Sequence, residues 1–192
     1  MALPTSVHLD LPAWLVNTLV TGRVYESDRD KVALAIDLSR RNTEARTGGP
    51  FGAAIFDADH RIVAAAANRV LPLTCSIAHA ETLALMLAQQ HLERARLNRD
   101  EHDRAIGPYT LAASSQPCCQ CYGAMIWGGI DRLLIGARAE DVTALTGFDE
   151  GPLPDNWVGE LTRRGIEVTV DLLRESACDV LRAYSASDGR RY

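Results

Sequence analysis

His79-Ala80-Glu81, answered far downstream by Pro117-Cys118-Cys119-Gln120-Cys121, is the pair of segments from which the rest of the chain can be read. Residues two apart in mid-helix do not face each other. His79 and Glu81 can therefore address one point only from a helix's first turn, where side chains lean towards the N-terminus. The turn-like Thr74-Cys75-Ser76 just before them agrees with that placement. Cys118 and Cys121 are three apart, so one helical turn brings both sulfurs to the same side, and Pro117 suits a helix start. The spacing thus predicts two helix N-termini aimed at a common centre, whose positive ends favour thiolate over thiol.

The chemistry of that centre follows from the residue types. One imidazole and two thiolates are zinc ligands that balance the charge of Zn²⁺, and a fourth position stays open for water. Bound zinc lowers the pKa of such a water from about 15.7 towards about 7. Glu81 need not ligate and is the candidate to handle protons beside that water. A competing arrangement uses Cys75, four residues before His79, to close a structural Cys₃His site with no vacancy and no use for Glu81. Cys119, Cys178, His8, His60, His91 and His102 lack partners at ligand spacing.

Working outward, the pattern alternates helices with strands. A helix is expected over Leu11 to Val20, opened at Pro12, and an amphipathic one over Asp28 to Arg46, broken by Thr47-Gly48-Gly49-Pro50. Strands follow at Phe51 to Phe56 and Arg61 to Ala67, joined by a turn at Asp57-Ala58-Asp59-His60. A loop spans Asn68 to Ile77, then a helix His79 to about Arg96, built from strong helix formers. A strand at Tyr109 to Ala113 leads into the Pro117 helix, which Gly128-Gly129 stops. Next come a strand (Arg132 to Ala137), a short helix (Glu140 to Leu145), a Gly- and Pro-rich loop (Gly147 to Asn156), a helix (Trp157 to Arg164), a strand (Ile166 to Val170) and a last helix (Arg174 to Tyr184). A hairpin joined to βα units predicts an α/β fold with one mixed sheet covered on both faces.

The chain has 192 residues, 47% hydrophobic and 23% charged, with a net charge of −5. That suits a single domain, here 1–192, with an N-terminal extension over about 1–27 and a C-terminal tail over about 185–192. No basic stripe is visible, which argues against a general nucleic-acid binder. Neither a secretion signal nor an apolar run of membrane-spanning length is present, so no membrane partner is expected. Five cysteines, an odd number with two in a metal-type spacing, fit a reducing compartment, and the expected location is cytoplasmic.

The motifs resemble the cytidine-deaminase-like superfamily, whose zinc deaminases carry H-x-E and P-C-x-x-C. Within it the chain is similar to the bacterial guanine deaminase branch. The likeness extends to Pro50-Phe51-Gly52-Ala53-Ala54, Asn68-Arg69-Val70, Gly123-Ala124-Met125-Ile126-Trp127 and Gly147-Phe148-Asp149-Glu150-Gly151-Pro152, covering about Arg29 to Tyr184. The resemblance implies a three-layer α/β/α sandwich around a five-stranded mixed sheet. It implies one Zn²⁺ per subunit held by His79, Cys118 and Cys121, with Glu81 and Glu150 as catalytic acids. Asn68 and the backbone of Ala80 would bond a purine base, and Phe51, Trp127 and Phe148 would line its pocket. Tyr192 would belong to a tail closing over this or the partner's site of a homodimer. The implied reaction is hydrolytic deamination of guanine to xanthine and ammonia. Ammeline-type s-triazines and guanosine remain as alternative substrates; RNA-editing or pyrimidine deamination is disfavoured by the acidic charge and the aromatic, acidic pocket. The chain departs from the branch at Gln116, where much of the family has Glu, and at Cys119-Gln120, which leaves the tuning around the metal open.

Overall fold

The computed structural model describes residues 3, 5–19, 23–187 and 189–192. Helix α1 (Ala13–Leu19) is followed by α2 (Asp28–Glu44), and the hairpin is β1 (Gly52–Phe56) and β2 (Ile62–Ala67). Then come α3 (Val70–Leu73), α4 (Ala80–Leu92), β3 (Thr110–Ser115), α5 (Cys119–Gly128), β4 (Arg132–Ala137), α6 (Ala139–Thr146), α7 (Trp157–Arg163), β5 (Glu167–Thr169) and α8 (Arg174–Ala186). The sheet runs β2-β1-β3-β4-β5. β1 is antiparallel to both its neighbours, while β3, β4 and β5 are mutually parallel.

Alternation along each strand divides the core in two. Ala54, Phe56, Ala65, Ala67 and Leu134 pack with Val32, Ala35 and Leu38 of α2 and Leu181 of α8. Ala53, Ile55, Ala64, Ala66, Leu133 and Ile135 pack with Leu83, Ala84 and Ala88 of α4 and Met125 of α5. The result is the expected three-layer α/β/α sandwich on a five-stranded mixed sheet. The alanines let helices lie close to the strands, and at Gly52 they lie closest: a Cβ there would sit 2.7 Å from the Ser39 amide and 2.8 Å from Leu38 Cβ.

Because β1 runs against β2 and β3, its start lies beside their ends. Phe51, Asn68 and the Gln116-Pro117-Cys118 turn are thereby gathered at one edge of the sheet. This is the edge outside the carboxyl ends of the parallel strands, where open α/β sheets bind ligands.

Most expected elements stand within two residues of their reading. Within the expected loop after β2, Val70–Leu73 forms the single helical turn α3. α4 ends at Leu92 rather than Arg96, because Glu93 adopts a left-handed conformation (φ 53°) and Arg94 turns back onto the Gln89 carbonyl. Of the first helix, Val20 lies outside the described residues. No helix among the described residues is long and apolar enough to cross a membrane.

Candidate active site

His79 is the N-cap of α4 and Cys118 the N-cap of α5, and neither side chain makes the usual capping bond. Both are therefore free for another ligand, and Glu81 stands in the first turn of α4 as its spacing demanded. His79 Nδ1 lies 3.5 Å from Cys118 Sγ and 3.6 Å from Cys121 Sγ. Tetrahedral zinc, with Zn–N about 2.0–2.1 Å and Zn–S about 2.3 Å, would hold nitrogen and sulfur about 3.6 Å apart. The donor set fits the metal in kind and in spacing.

Among the described residues, His79, Cys118 and Cys121 are the one group of three or more potential ligands, their atoms all within 4.8 Å of one another. Cys75 is not a member, so the closed Cys₃His arrangement is not formed. Three ligands leave one position open, which is the catalytic form of a zinc site.

The electrostatics agree. The Cys121 thiol donates towards Cys118 and holds it down to about 4, while Cys121 itself is pushed up by that contact and by burial. Burial lowers the His79 imidazole, but contact with Cys118 and the nearby Glu81 outweigh it and leave the pKa raised. Glu81 is buried, and burial with the negative Cys118 raises it to about 7. Glu150 is raised to about 8 by burial, then by Cys118 and Glu81. Glu150 is half-buried and stands near enough to Cys118 and Glu81 to feel both charges.

Glu150 is held there by its backbone. The Cys119 amide, an orphan donor at the start of α5, bonds the Glu150 carbonyl at 3.0 Å. Cys119 Sγ packs on Gly151, where a Cβ would lie 2.6 Å from it. Gln120 reaches the Ile77 carbonyl at 3.3 Å, tying α5 to the turn before His79. Gln116 accepts the Ala139 amide at the start of α6 at 3.3 Å. All three departures from the family pattern therefore point away from the metal and support its surroundings. Sequence reading assigned none of them a task, because a helix-start amide and a remote carbonyl leave no mark on local pattern.

Asn68 is 1% exposed. Its Oδ1 accepts the Val70 amide at 3.2 Å, which fixes the orientation of the side-chain amide. Its Nδ2 is buried with no partner, a donor prepared for something absent. Ala80 is buried beside His79, with its N–H in the unsatisfied first turn of α4.

The aromatic wall is built from Phe148, 6% exposed, whose ring centroid lies 5.5 Å from Phe51 and 4.8 Å from Tyr192. The tail is fastened by the Tyr184 hydroxyl, which donates to the Arg190 carbonyl at 2.7 Å. A Cβ at Gly49 would lie 2.9 Å from Tyr192 Cζ, so the tail seats on that turn, within its own chain. Burial, Tyr184 and Glu150 all raise the Tyr192 phenol.

Trp127 does not join this wall. Its ring is 81% exposed on the outer face of α5, beside Ile77, Met86 and Gln120. It follows Met125, which faces the core, by two positions, and so points about 200° around the helix. The sequence expectation for Trp127 in the chain's own pocket is corrected accordingly. A surface cavity of about 730 Å³ between Trp14, Tyr25 and Arg41 contains none of the site residues.

Residues 25–137 match the family described as the cytidine and deoxycytidylate deaminase zinc-binding region. The chain belongs to that family. Among curated relatives, a probable cytosine deaminase of Schizosaccharomyces pombe is 34% identical over 63% of this chain and 67% of its own length. The solved guanine deaminase of Nitrosomonas europaea is 42% identical, covering 97% of this chain and 100% of that one, with a TM-score of 0.88. A structure of the protein NE0047 with 2,6-diaminopurine bound is 44% identical over 97% of this chain and 96% of its own, with a TM-score of 0.89.

Proposed function

We propose that this protein deaminates guanine, adding water and releasing xanthine and ammonia, with one Zn²⁺ per subunit on His79, Cys118 and Cys121. The observation that carries the substrate is the buried, unpartnered Nδ2 of Asn68, a donor for a ring carbonyl, with Glu150 near Cys118 and Glu81 as an acid that can accept ring N–H groups. Such a site rejects rings lacking the matching groups by about 10⁴–10⁵. Similarity over nearly the whole chain to a guanine deaminase supports the same choice.

When bound, zinc supplies Lewis acidity that makes water a nucleophile near neutral pH. Glu81, in the first turn of α4, takes the proton from the attacking water and passes it to the ring nitrogen, then assists protonation of the amine. Glu150 accepts from the amino edge of the base and helps the amine leave as ammonia, two carboxylates with separate tasks. Asn68 and the Ala80 amide orient the base. Phe51 and Phe148 line the pocket as one edge-to-face pair, and Tyr192 with the tail excludes water. A tail seated on Phe148 leaves a free base favoured over a nucleoside and over a base flipped from RNA.

We infer also that two copies pair through the outer face of α4 and α5, where Trp127, Ile77 and Met86 are exposed together. A cytoplasmic location follows from five free cysteines, two of them needed as ligands.

The deciding experiment follows ammonia from guanine, guanosine, adenine, cytosine, cytidine and ammeline with zinc-loaded protein. Guanine is expected to lead. No release from guanine with strong release from cytosine would overturn the substrate and spare the mechanism.

A further inference from the structure

Asn42, in the last turns of α2, is fully buried, and its amide is completely used. Nδ2 donates to the carbonyl of Gly49 at 2.8 Å and to that of Asn68 at 2.9 Å. Oδ1 accepts from the Thr47 hydroxyl at 2.8 Å, and that hydroxyl accepts from Trp14 Nε1 at 3.1 Å. The two carbonyls belong to the two sides of the candidate site. Asn68 presents the unpartnered Nδ2, and Gly49 is the seat of the Tyr192 ring. Gly48 seals the joint: a Cβ there would come within 2.6 Å of Asn42 Nδ2 and 3.0 Å of the Asn68 carbonyl carbon.

We propose that Asn42 is a positioning residue for base recognition, its amide fixing where Asn68 meets the base. The proposal rests on the reading that Asn68 donates to the substrate ring. The task needs two donors and one acceptor on a short stem, which a primary amide supplies. Aspartate of the same shape has no donors to give. Leucine would take the Asn42 donor from the buried Asn68 carbonyl and leave the Gly49 carbonyl with only the Phe51 amide, 2.9 Å away. Glutamine would force an extra methylene into a filled slot.

Staple and positioning residue differ in what they predict. If Asn42 only strengthens the fold, its loss weakens every variant alike. If it acts through Asn68, its loss matters only while Asn68 is present, since contacting residues are non-additive. A misplacement of about 1 Å can cost about 10²-fold.

The test titrates 8-azaguanine into four zinc-loaded proteins, all carrying Glu81→Gln to prevent turnover: otherwise unchanged, Asn42→Ala, Asn68→Ala, and both together. Affinity should fall about 10–100-fold for Asn42→Ala when Asn68 is intact, and less than about 3-fold when Asn68 is already alanine. Equal losses in both backgrounds, or no loss in either, would overturn the proposal. Should Asn42→Ala lose its zinc or its far-ultraviolet circular dichroism, Thr47→Val takes its place. It removes the hydroxyl that orients the Asn42 amide and should cost about 3–10-fold, again only with Asn68 intact. An unaltered affinity in that variant overturns the idea equally. If the parent protein does not bind 8-azaguanine but deaminates another ring, the guanine reading fails by itself, and the same four proteins titrated with that ring decide Asn42 separately.

Discussion

Replacing Phe148 by alanine should loosen the site and the fold together. The ring is 6% exposed and packs on three others, with centroids at 5.5 Å (Phe51), 6.2 Å (Tyr184) and 4.8 Å (Tyr192). Burying such a side chain contributes about 1.5–3 kcal/mol, and each aromatic pair about 0.5–1.5 kcal/mol beyond area. Neighbours relax into part of the cavity, so the net cost for Phe→Ala is about 3–5 kcal/mol. At about 2–4 °C per kcal/mol for a chain of this size, Tm should fall by about 6–20 °C. Phe148 also stands two residues from Glu150 and beneath Tyr192, so KM for guanine should rise as the tail loses its seat. Calorimetry with steady-state ammonia release reads both. A Tm drop below about 3 °C with unchanged KM would show that the ring is not clamped between the loop and the tail, and the account of the aromatic wall would be wrong.

Glu81→Gln should retain zinc and lower kcat by about 10²–10⁴, the usual worth of a positioned acid–base group; near-normal turnover in a zinc-loaded variant would remove Glu81 from the proton path. Cys75→Ser should leave metal content and activity unchanged, whereas Cys118→Ser should lose zinc by elemental analysis; metal loss in the Cys75 variant would revive the closed site. Arg132 holds the Asp28 carboxyl below its ordinary value of 3.8, and Arg174 does the same for Asp141. A depressed folded pKa contributes stability that is present above the unfolded value and lost as pH falls through the folded one. Urea midpoints should therefore fall as pH drops below about 4, with a shallower fall in Asp28→Asn; an identical slope in that variant would contradict the pairing.

The layered sheet was legible because its signals are local and periodic. Asp28 to Arg46 reads as amphipathic, the alanine- and valine-rich segments read as strands, and glycine or proline punctuates nearly every boundary. The metal set was equally legible, since His79, Cys118 and Cys121 are diagnostic in type and in spacing, and the first-turn placement follows from Glu81 lying two positions from His79. Trp127 was misread because its motif neighbours fix the helix but not the face it presents. Asn42 was invisible for a different reason. It sits in a helix that its apolar neighbours already explain, and its work is done on two carbonyls distant in sequence. The end of α4 escaped because Glu93 takes the left-handed turn without the glycine that would announce it.

The departures around the second motif make sense once the folded edge is considered as a unit. α5 begins with an unsatisfied amide at Cys119, and the acidic loop supplies the Glu150 carbonyl to meet it. α6 begins likewise at Ala139, and Gln116 meets that one. The helix that carries two metal ligands is thus joined to the loop that carries the second acid, and the turn before it is joined to the helix leading into that loop. Neutral glutamine can perform the second junction as well as glutamate, because the group required is a carbonyl-type acceptor at a helix N-terminus and the metal takes no part. Substitution at Gln116 is therefore predicted to act on Glu150 through α6, changing turnover before it changes zinc content.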